Sequence, residues 1–151
     1  MTNIFTKLIL SVLVLTTLTI SVQAADKQPI IIGGSALANT IDETNLVGAL
    51  TGTFQGGARA AVLGETKTEN GLILHMEHYF LNELGGLIRT KDKAVLTNVA
   101  DNPGVYMIEI NYEIQQATGA YADYTGEFHS RGLYDANTGI VVLRYDGTIY
   151  K

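Results

Sequence analysis

The chain has 151 residues, of which 15 are acidic and 10 are basic, and it contains no cysteine. This length suits one domain with a core of its own, and the acidic balance argues against nucleic acid or an anionic membrane surface as a partner. The lack of cysteine excludes a fold stabilised by disulfides and also a lipoprotein anchor, which is attached to a cysteine.

The first 24 residues have the pattern of a cleaved signal peptide. Lys7 supplies a positive charge, and the apolar run Leu8–Ile20 is followed by small residues at Val22 and Ala24, the positions that a signal peptidase reads. The run is shorter than the roughly 20 residues that a membrane-spanning helix needs. We therefore predict cleavage after Ala24. The mature protein is then expected in the periplasm or outside the cell, without a membrane attachment.

Residues 25–45 are predicted as an N-terminal arm that precedes the folded domain. The apolar segment Pro29–Ile32 begins like a strand, but Gly33 and Gly34 follow it at once and are expected to end it. The regular alternation of strands and turns begins at Leu46. We therefore predict a signal peptide over residues 1–24, an arm over 25–45 and one domain over 46–151.

Val105–Ile114 shows the clearest strand pattern in the chain. Its even-numbered residues are apolar or aromatic, and Glu109, Asn111 and Glu113 alternate with them. Alternation with a period of two is typical of an antiparallel strand with one buried face. The residues predicted on that face are Tyr106, Ile108, Ile110, Tyr112 and Ile114.

Other strands are predicted between turn signals such as Asp101–Gly104 and Asn137–Gly139. The charged segment Lys91–Lys93 is interpreted as a connection between two short strands, Leu87–Thr90 and Ala94–Val99. No helical stripe of apolar residues is evident after residue 24. Roughly eight strands, some of them long, predict an all-β fold, and their length favours a single antiparallel β-barrel over a sandwich.

A short pattern occurs twice in the chain. Thr51–Phe54 and Thr118–Tyr121 both consist of threonine, glycine, a small residue and an aromatic residue. Two copies are too few to define a repeat. We interpret both as bends of the same type.

The segment Gln116–Asp135 combines glycine breaks with aromatic and polar residues. It resembles the GTG-x-[FY]-x-x-A-x-G segment of the allene oxide cyclase and dirigent barrels and of small exported bacterial relatives. Three parts carry the resemblance, namely Thr118-Gly119-Ala120-Tyr121, Thr125-Gly126-Glu127-Phe128 and Arg131-Gly132. The segment departs from the family pattern at Gln116-Ala117, where two glycines are usual, and at Asp123-Tyr124, which lengthen the step to the second glycine.

The resemblance implies a single eight-stranded antiparallel barrel, often oligomeric, with a cavity open at one end. In those families the cavity orients a reactive small molecule and steers its ring closure or coupling, without a metal or an organic cofactor. No position here matches the catalytic acidic and polar residues of those families. The resemblance therefore assigns no catalytic residue, and it leaves open whether this protein is an enzyme.

His78 is the first candidate ligand-binding residue. On the predicted strand Leu72–Leu81 it shares a face with Met76 and Phe80, which is the expected interior. Such a histidine either bonds to a backbone carbonyl within the core or projects into a cavity, where it can orient a ligand or move a proton. The neighbouring His75 does not complete a metal site, because the H-E-x-x-H spacing on a helix is absent. No metal or other cofactor is predicted.

Tyr112 and three polar residues complete the candidate set. Tyr112 is one of eight tyrosines, which either pack the core and the barrel ends or line an aromatic pocket. Glu127, His129 and Arg131 alternate along one face of a strand, opposite Phe128. They form either a solvated outer row or a polar row that lines the mouth of the barrel.

Three hypotheses of function follow. The first is an exported small barrel that binds or steers a small, largely apolar molecule in its interior. The second is a non-catalytic barrel that acts through its surface, as a homo-oligomer or a partner-binding module. The third is a cofactor-free isomerase or cyclase of the allene oxide cyclase type, which would require a buried acid or histidine facing a deep pocket.

Overall fold

The computed structural model describes residues 27–151. The predicted signal peptide over residues 1–24 and its cleavage site lie outside the described residues. Within them, eight strands form one closed antiparallel barrel in which neighbours in sequence pair and the last strand returns to the first. The strands are β1 (Pro29–Thr40), β2 (Asn45–Gly52), β3 (Gly56–Thr68), β4 (Gly71–Asn82), β5 (Leu87–Asn98), β6 (Val105–Thr118), β7 (Thr125–Asp135) and β8 (Ile140–Tyr150). The predicted all-β barrel is confirmed.

The alternation of residue types decides which face of each strand turns inward. On β6, Ile108, Ile110 and Tyr112 are buried, whereas Glu109 and Glu113 are exposed. This is the arrangement predicted from the sequence. Because apolar side chains leave water on one face only, each such strand is fixed in one orientation relative to the barrel interior.

The barrel begins at Pro29 and not at Leu46, which corrects the predicted N-terminal arm. β1 pairs with β2 on one side and with β8 on the other, so it is a full member of the sheet. Gly34 does not end this strand. It allows the Thr51 carbonyl of β2 and the ring of Tyr145 to approach the backbone, since a Cβ atom at position 34 would clash with that carbonyl oxygen and would lie 2.5 Å from the Tyr145 hydroxyl.

One continuous strand, β5, replaces the two short strands predicted around Lys91–Lys93. Lys91 and Lys93 are exposed on its outer face, and Asp92 between them is buried inside the barrel. The three charges suggested a solvated connection. Successive side chains of a strand point to opposite faces, however, so only the central residue, Asp92, is directed inward.

Aromatic side chains close one end of the barrel. Phe54, from the connection between β2 and β3, meets Tyr121, from a single 3₁₀ turn at Gly119–Tyr121, with ring centroids 5.6 Å apart. Phe128 and Tyr145 complete the cluster, with centroids within 5.6 Å of that of Phe54. The two copies of the Thr-Gly-small-aromatic pattern therefore supply the two rings that close this end.

Residues near the two ends of the described chain, Gln28 and Lys151, meet at the aromatic end. The Gln28 N–H donates to the Lys151 carbonyl at 2.8 Å, and the Lys151 N–H donates to the Gln28 carbonyl at 3.0 Å. These bonds extend the pairing of β1 with β8 beyond the last residues of both strands. No helix in residues 27–151 is long and apolar enough to cross a membrane.

Candidate functional site: the barrel cavity

The interior of the barrel is not filled. A cavity of about 240 Å³ extends from the aromatic cluster toward the opposite end, where the exposed Glu43 and Glu65 lie at its mouth. For comparison, an engineered apolar cavity of about 150 Å³ binds benzene. The cavity is therefore large enough for an organic molecule somewhat bigger than one aromatic ring.

Short side chains on three neighbouring strands create this space. The inward positions of β1, β2 and β3 that line the cavity include Ala36, Ala38, Gly48, Ala58 and Ala60. The facing wall carries larger residues such as Leu72, Leu74 and Ile108. Because the small residues cannot reach across the barrel, the two walls do not interdigitate as a filled core would.

A buried histidine and a buried aspartate form the main polar contact at the inner end of the cavity. The Nδ1 atom of His78, on β4, lies 2.7 Å from Oδ2 of Asp92, on β5. The side chain of Asp92 is fully buried, and that of His78 is 9 % exposed. Because a carboxylate only accepts hydrogen bonds, Nδ1 carries the hydrogen, and Asp92 fixes the orientation of the ring.

The rest of the His78 ring is surrounded by aromatic groups. It stacks on Phe80 at 5.6 Å between centroids, and Tyr112 meets it edge-on at 5.1 Å. His78 lines the cavity, and no group within residues 27–151 hydrogen-bonds to its Nε2 atom. The second ring nitrogen is thus available to a molecule in the cavity, as a base that Asp92 orients.

Tyr112 and Ser130 form a second polar pair on the cavity wall. The Tyr112 hydroxyl lies 2.8 Å from Oγ of Ser130. Burial raises the pKa of Tyr112 well above its usual range, the nearby Asp92 adds to this, and the Ser130 hydrogen bond opposes it. The phenol is therefore neutral over the ordinary pH range. The hydrogen bond between the two hydroxyl groups uses only one of their two hydrogens. The other hydrogen stays available to a bound molecule.

Two buried oxygens have no partner among the described residues. They are Oγ1 of Thr90 and Oδ1 of Asp92, both on the inner face of β5. Thr90 lies directly opposite His78 in the pairing of β4 with β5. Buried polar atoms without partners are costly, so the polar groups around His78 are held there at the expense of stability.

The predicted site residues divide between the two faces of the barrel. His78 and Tyr112 lie on the cavity wall. Glu127, His129 and Arg131 lie on the outer face of β7, where Nε2 of His129 is 3.3 Å from the half-exposed carboxylate of Asp146. The structure thus brings two of the five candidates together and places the other three outside.

Asp92 and Ser130 are the site residues that the sequence analysis missed. The alternation of residues 90–96 carried a signal for Asp92, because it has the same parity as the apolar Ala94 and Leu96. Ser130 likewise has the same parity as Phe128, which marks the inner face of β7. Both signals were available, but a charged residue and a serine are not usually assigned to a core.

No three His, Cys, Asp or Glu side chains of residues 27–151 are grouped closely enough to hold a metal ion. Comparisons with protein-family models, with curated proteins and with solved structures find no match to this chain.

Proposed function

We propose that this protein binds a small, largely apolar molecule inside its barrel. The observation that carries the proposal is the 240 Å³ cavity, whose walls are mostly aliphatic and aromatic. Ligand sites are commonly concave and apolar, with a few polar groups that fix the orientation of the ligand. His78, Tyr112 and Ser130 are such groups. Glu43 and Glu65 at the mouth favour a neutral molecule over an anion.

We also propose that the protein is exported and is related to the allene oxide cyclase and dirigent barrels. The pattern of residues 1–24 supports export. The segment Gln116–Asp135 supports the relationship, and so does the closed barrel of eight antiparallel strands with a cavity. Secretion into culture medium or periplasm, and the N-terminal residue of the mature protein, would test the predicted cleavage after Ala24.

A substitution that fills the cavity tests ligand binding. The probe is naphthalene, a neutral molecule of suitable size, and binding is measured by calorimetry. Ala36→Phe places a ring in the cavity from β1 and should weaken binding at least about tenfold, a loss of about 1.4 kcal/mol. Ala61→Phe, on the outer face of β3, is the matched control and should leave affinity unchanged. Lack of naphthalene binding by the unaltered protein would refute the proposal.

A second candidate function rests on the outer surface. Four apolar residues on adjacent strands lie directly opposite one another in the pairing of β6, β7, β8 and β1. Each is between 46 and 57 % exposed. We call them the apolar stripe: Leu37, Met107, Leu133 and Val142. Because two copies of an acidic chain repel each other, a contact between them favours an uncharged surface, and the apolar stripe provides one.

We therefore propose a second copy of this chain as the occupant of the apolar stripe. Light scattering should show an oligomer, and Leu133→Lys should convert it to a monomer. Ile31→Lys is the control, since Ile31 is 85 % exposed but lies outside the stripe. A monomer at every accessible concentration would rule out this second function without affecting the first.

A further inference from the structure

The inner end of the cavity holds a base and a hydroxyl donor side by side. The base is Nε2 of His78, since Nδ1 is already bonded to Asp92. The donor is the hydrogen that the Tyr112–Ser130 pair leaves free. The rings of His78 and Tyr112 are 5.1 Å apart, so one small molecule can contact both groups.

We propose that this site catalyses proton transfer within an enolisable carbonyl compound, for example the shift of a β,γ-unsaturated ketone to its conjugated isomer. This proposal rests on the proposed binding function and names the chemical class of the ligand. Nε2 of His78 takes a proton from the carbon next to the carbonyl group. The C–H electron pair forms a carbon–carbon double bond, and the carbonyl oxygen becomes an enolate oxygen.

The same residues complete the reaction. The free hydroxyl hydrogen of the Tyr112–Ser130 pair donates to the enolate oxygen, where negative charge develops. The imidazolium of His78 then returns the proton to the γ carbon, which restores the carbonyl group and leaves the new double bond conjugated with it. Substrate and product are isomers, so no oxidant, reductant or second substrate is consumed.

Asp92 acts through His78 as a positioning residue. Its carboxylate lies 2.7 Å from Nδ1, so the positive charge that the ring gains when it takes the proton faces a negative charge. A carboxylate used in this way holds the imidazole in the required tautomer and stabilises the imidazolium. The apolar walls strengthen this electrostatic effect, because charges interact more strongly where water is excluded.

The hydroxyl of Tyr145, another residue of the cavity wall, is not available as the donor. It is already hydrogen-bonded to the backbone of Phe54 and Thr51. The ordinary role of an interior histidine, a bond to a backbone carbonyl, does not apply here, since the partner is a carboxylate from the neighbouring strand. Aromatic and aliphatic surroundings suit a neutral ketone.

Two measurements test the proposal on the complete mature protein. The first follows hydrogen–deuterium exchange at the α carbons of cyclohexanone in heavy water by NMR. The second follows the conversion of cyclohex-3-enone to cyclohex-2-enone by its ultraviolet absorbance. The unaltered protein should accelerate both above the rate with an equal concentration of free imidazole. His78→Gln keeps a donor for Asp92 but removes the base, and it should reduce both rates to that background.

Variants of the other groups separate their roles. The double variant Tyr112→Phe with Ser130→Ala removes the donor and should lower the isomerisation rate about 10²–10³-fold. Asp92→Asn should lower kcat and leave the dissociation constant of cyclohexanone unchanged, which a merely structural role would not do. His129→Gln, on the outer face, is the control and should retain the full rate.

The outcomes distinguish this proposal from the binding function. If the unaltered protein accelerates neither reaction beyond free imidazole, or if His78→Gln retains the full rate, the proposed catalysis is overturned. Naphthalene binding then decides separately whether the cavity still serves as a binding site.

Discussion

Tyr145 connects three parts of the barrel through one hydroxyl group. The Phe54 N–H donates to this oxygen at 2.8 Å, and the hydroxyl donates to the Thr51 carbonyl at 2.9 Å. Its ring stacks on Phe54 with centroids 5.5 Å apart. The connection between β2 and β3 thus depends on β8 for both its hydrogen bonds and its packing.

Removal of this hydroxyl should be costly. We expect Tyr145→Phe to lower the free energy of unfolding by about 1–3 kcal/mol, because the buried Phe54 N–H loses its partner. Urea unfolding followed by circular dichroism measures the change. Tyr134→Phe is the matched control, since the Tyr134 hydroxyl has no hydrogen bond within residues 27–151, and it should alter stability by less than about 0.5 kcal/mol. Equal losses for the two variants would contradict this account.

The sequence predicted which face of a strand a residue lies on better than it predicted which side chain that residue contacts. The faces of His78 and Tyr112 followed from the alternation on their own strands, and both proved to line the cavity. The contact of His78 with Asp92 depends on how β4 and β5 are aligned. The sequence of one strand does not contain that register, which is set by the whole sheet.

At the scale of elements, β1 depends on a pair of glycines with different surroundings. A Cβ atom on Gly34 would clash with the Thr51 carbonyl oxygen and would lie 2.5 Å from the Tyr145 hydroxyl. One on Gly33 would approach only the Tyr145 carbonyl oxygen, at 3.7 Å. Gly34 permits a close approach within the barrel. Gly33 has room for a methyl group.

We therefore expect opposite results from two adjacent substitutions. Gly34→Ala should destabilise the protein by about 1–3 kcal/mol or more, because the added methyl group would clash with the Thr51 carbonyl on β2 and with the ring of Tyr145, so that strand and ring must move. Gly33→Ala should be neutral or should stabilise by up to about 1 kcal/mol, because alanine restricts the unfolded chain. Thermal and urea unfolding of both variants provide the measurement. A destabilisation by Gly33→Ala as large as that by Gly34→Ala would show that the lack of space at position 34 is not the cause.

The strands that were predicted poorly are those that carry, at inward positions, residues more typical of loops or of exposed surfaces. β6 was predicted well because its inner face is apolar throughout. β1 was taken for an arm because Gly33 and Gly34 are also typical of loops, and β5 was divided because Asp92 stands between two lysines. In both strands the misleading residue serves the interior, through a close approach at Gly34 and a buried charge at Asp92.

At the scale of the molecule, the barrel combines a densely packed aromatic end with an open interior cavity. The aromatic cluster supplies dense packing at one end, while the alanines and Gly48 on β1, β2 and β3 leave the rest open. An unfilled apolar volume lowers stability compared with a well-packed core. Retention of the cavity at that cost agrees with the proposed binding of a small molecule.

Burial of tyrosines throughout the barrel makes stability sensitive to alkaline pH. Burial raises the pKa of four tyrosines above the ordinary value of 10.0: Tyr112, Tyr121, Tyr134 and Tyr145. Above pH 10 the unfolded chain loses these protons while the folded barrel keeps them. Because the unfolded state then binds fewer protons, the free energy of unfolding should fall as the pH rises.

This effect should be absent below pH 10 and should grow as the pH approaches the raised pKa values. Urea unfolding at a series of alkaline pH values measures the trend, and the absorbance of phenolate reports the titration directly. We expect Tyr112, Tyr121, Tyr134 and Tyr145 to ionise above the ordinary pH of a tyrosine or only on unfolding. Ionisation of these four tyrosines at the ordinary pH without loss of structure would contradict the raised pKa values.

The hydrogen bonds between Gln28 and Lys151 also affect how the barrel responds to a mechanical load. β1 and β8 are antiparallel neighbours, and Gln28 and Lys151 lie just beyond the same end of this pair. The hydrogen bonds of an antiparallel pair lie across the strands, so a force that pulls Gln28 and Lys151 apart loads these bonds one after another, starting with the two between Gln28 and Lys151. The pairing of β1 with β8 should therefore open bond by bond from residues 28 and 151, and the wall of the cavity formed by β1 should be the first part to detach.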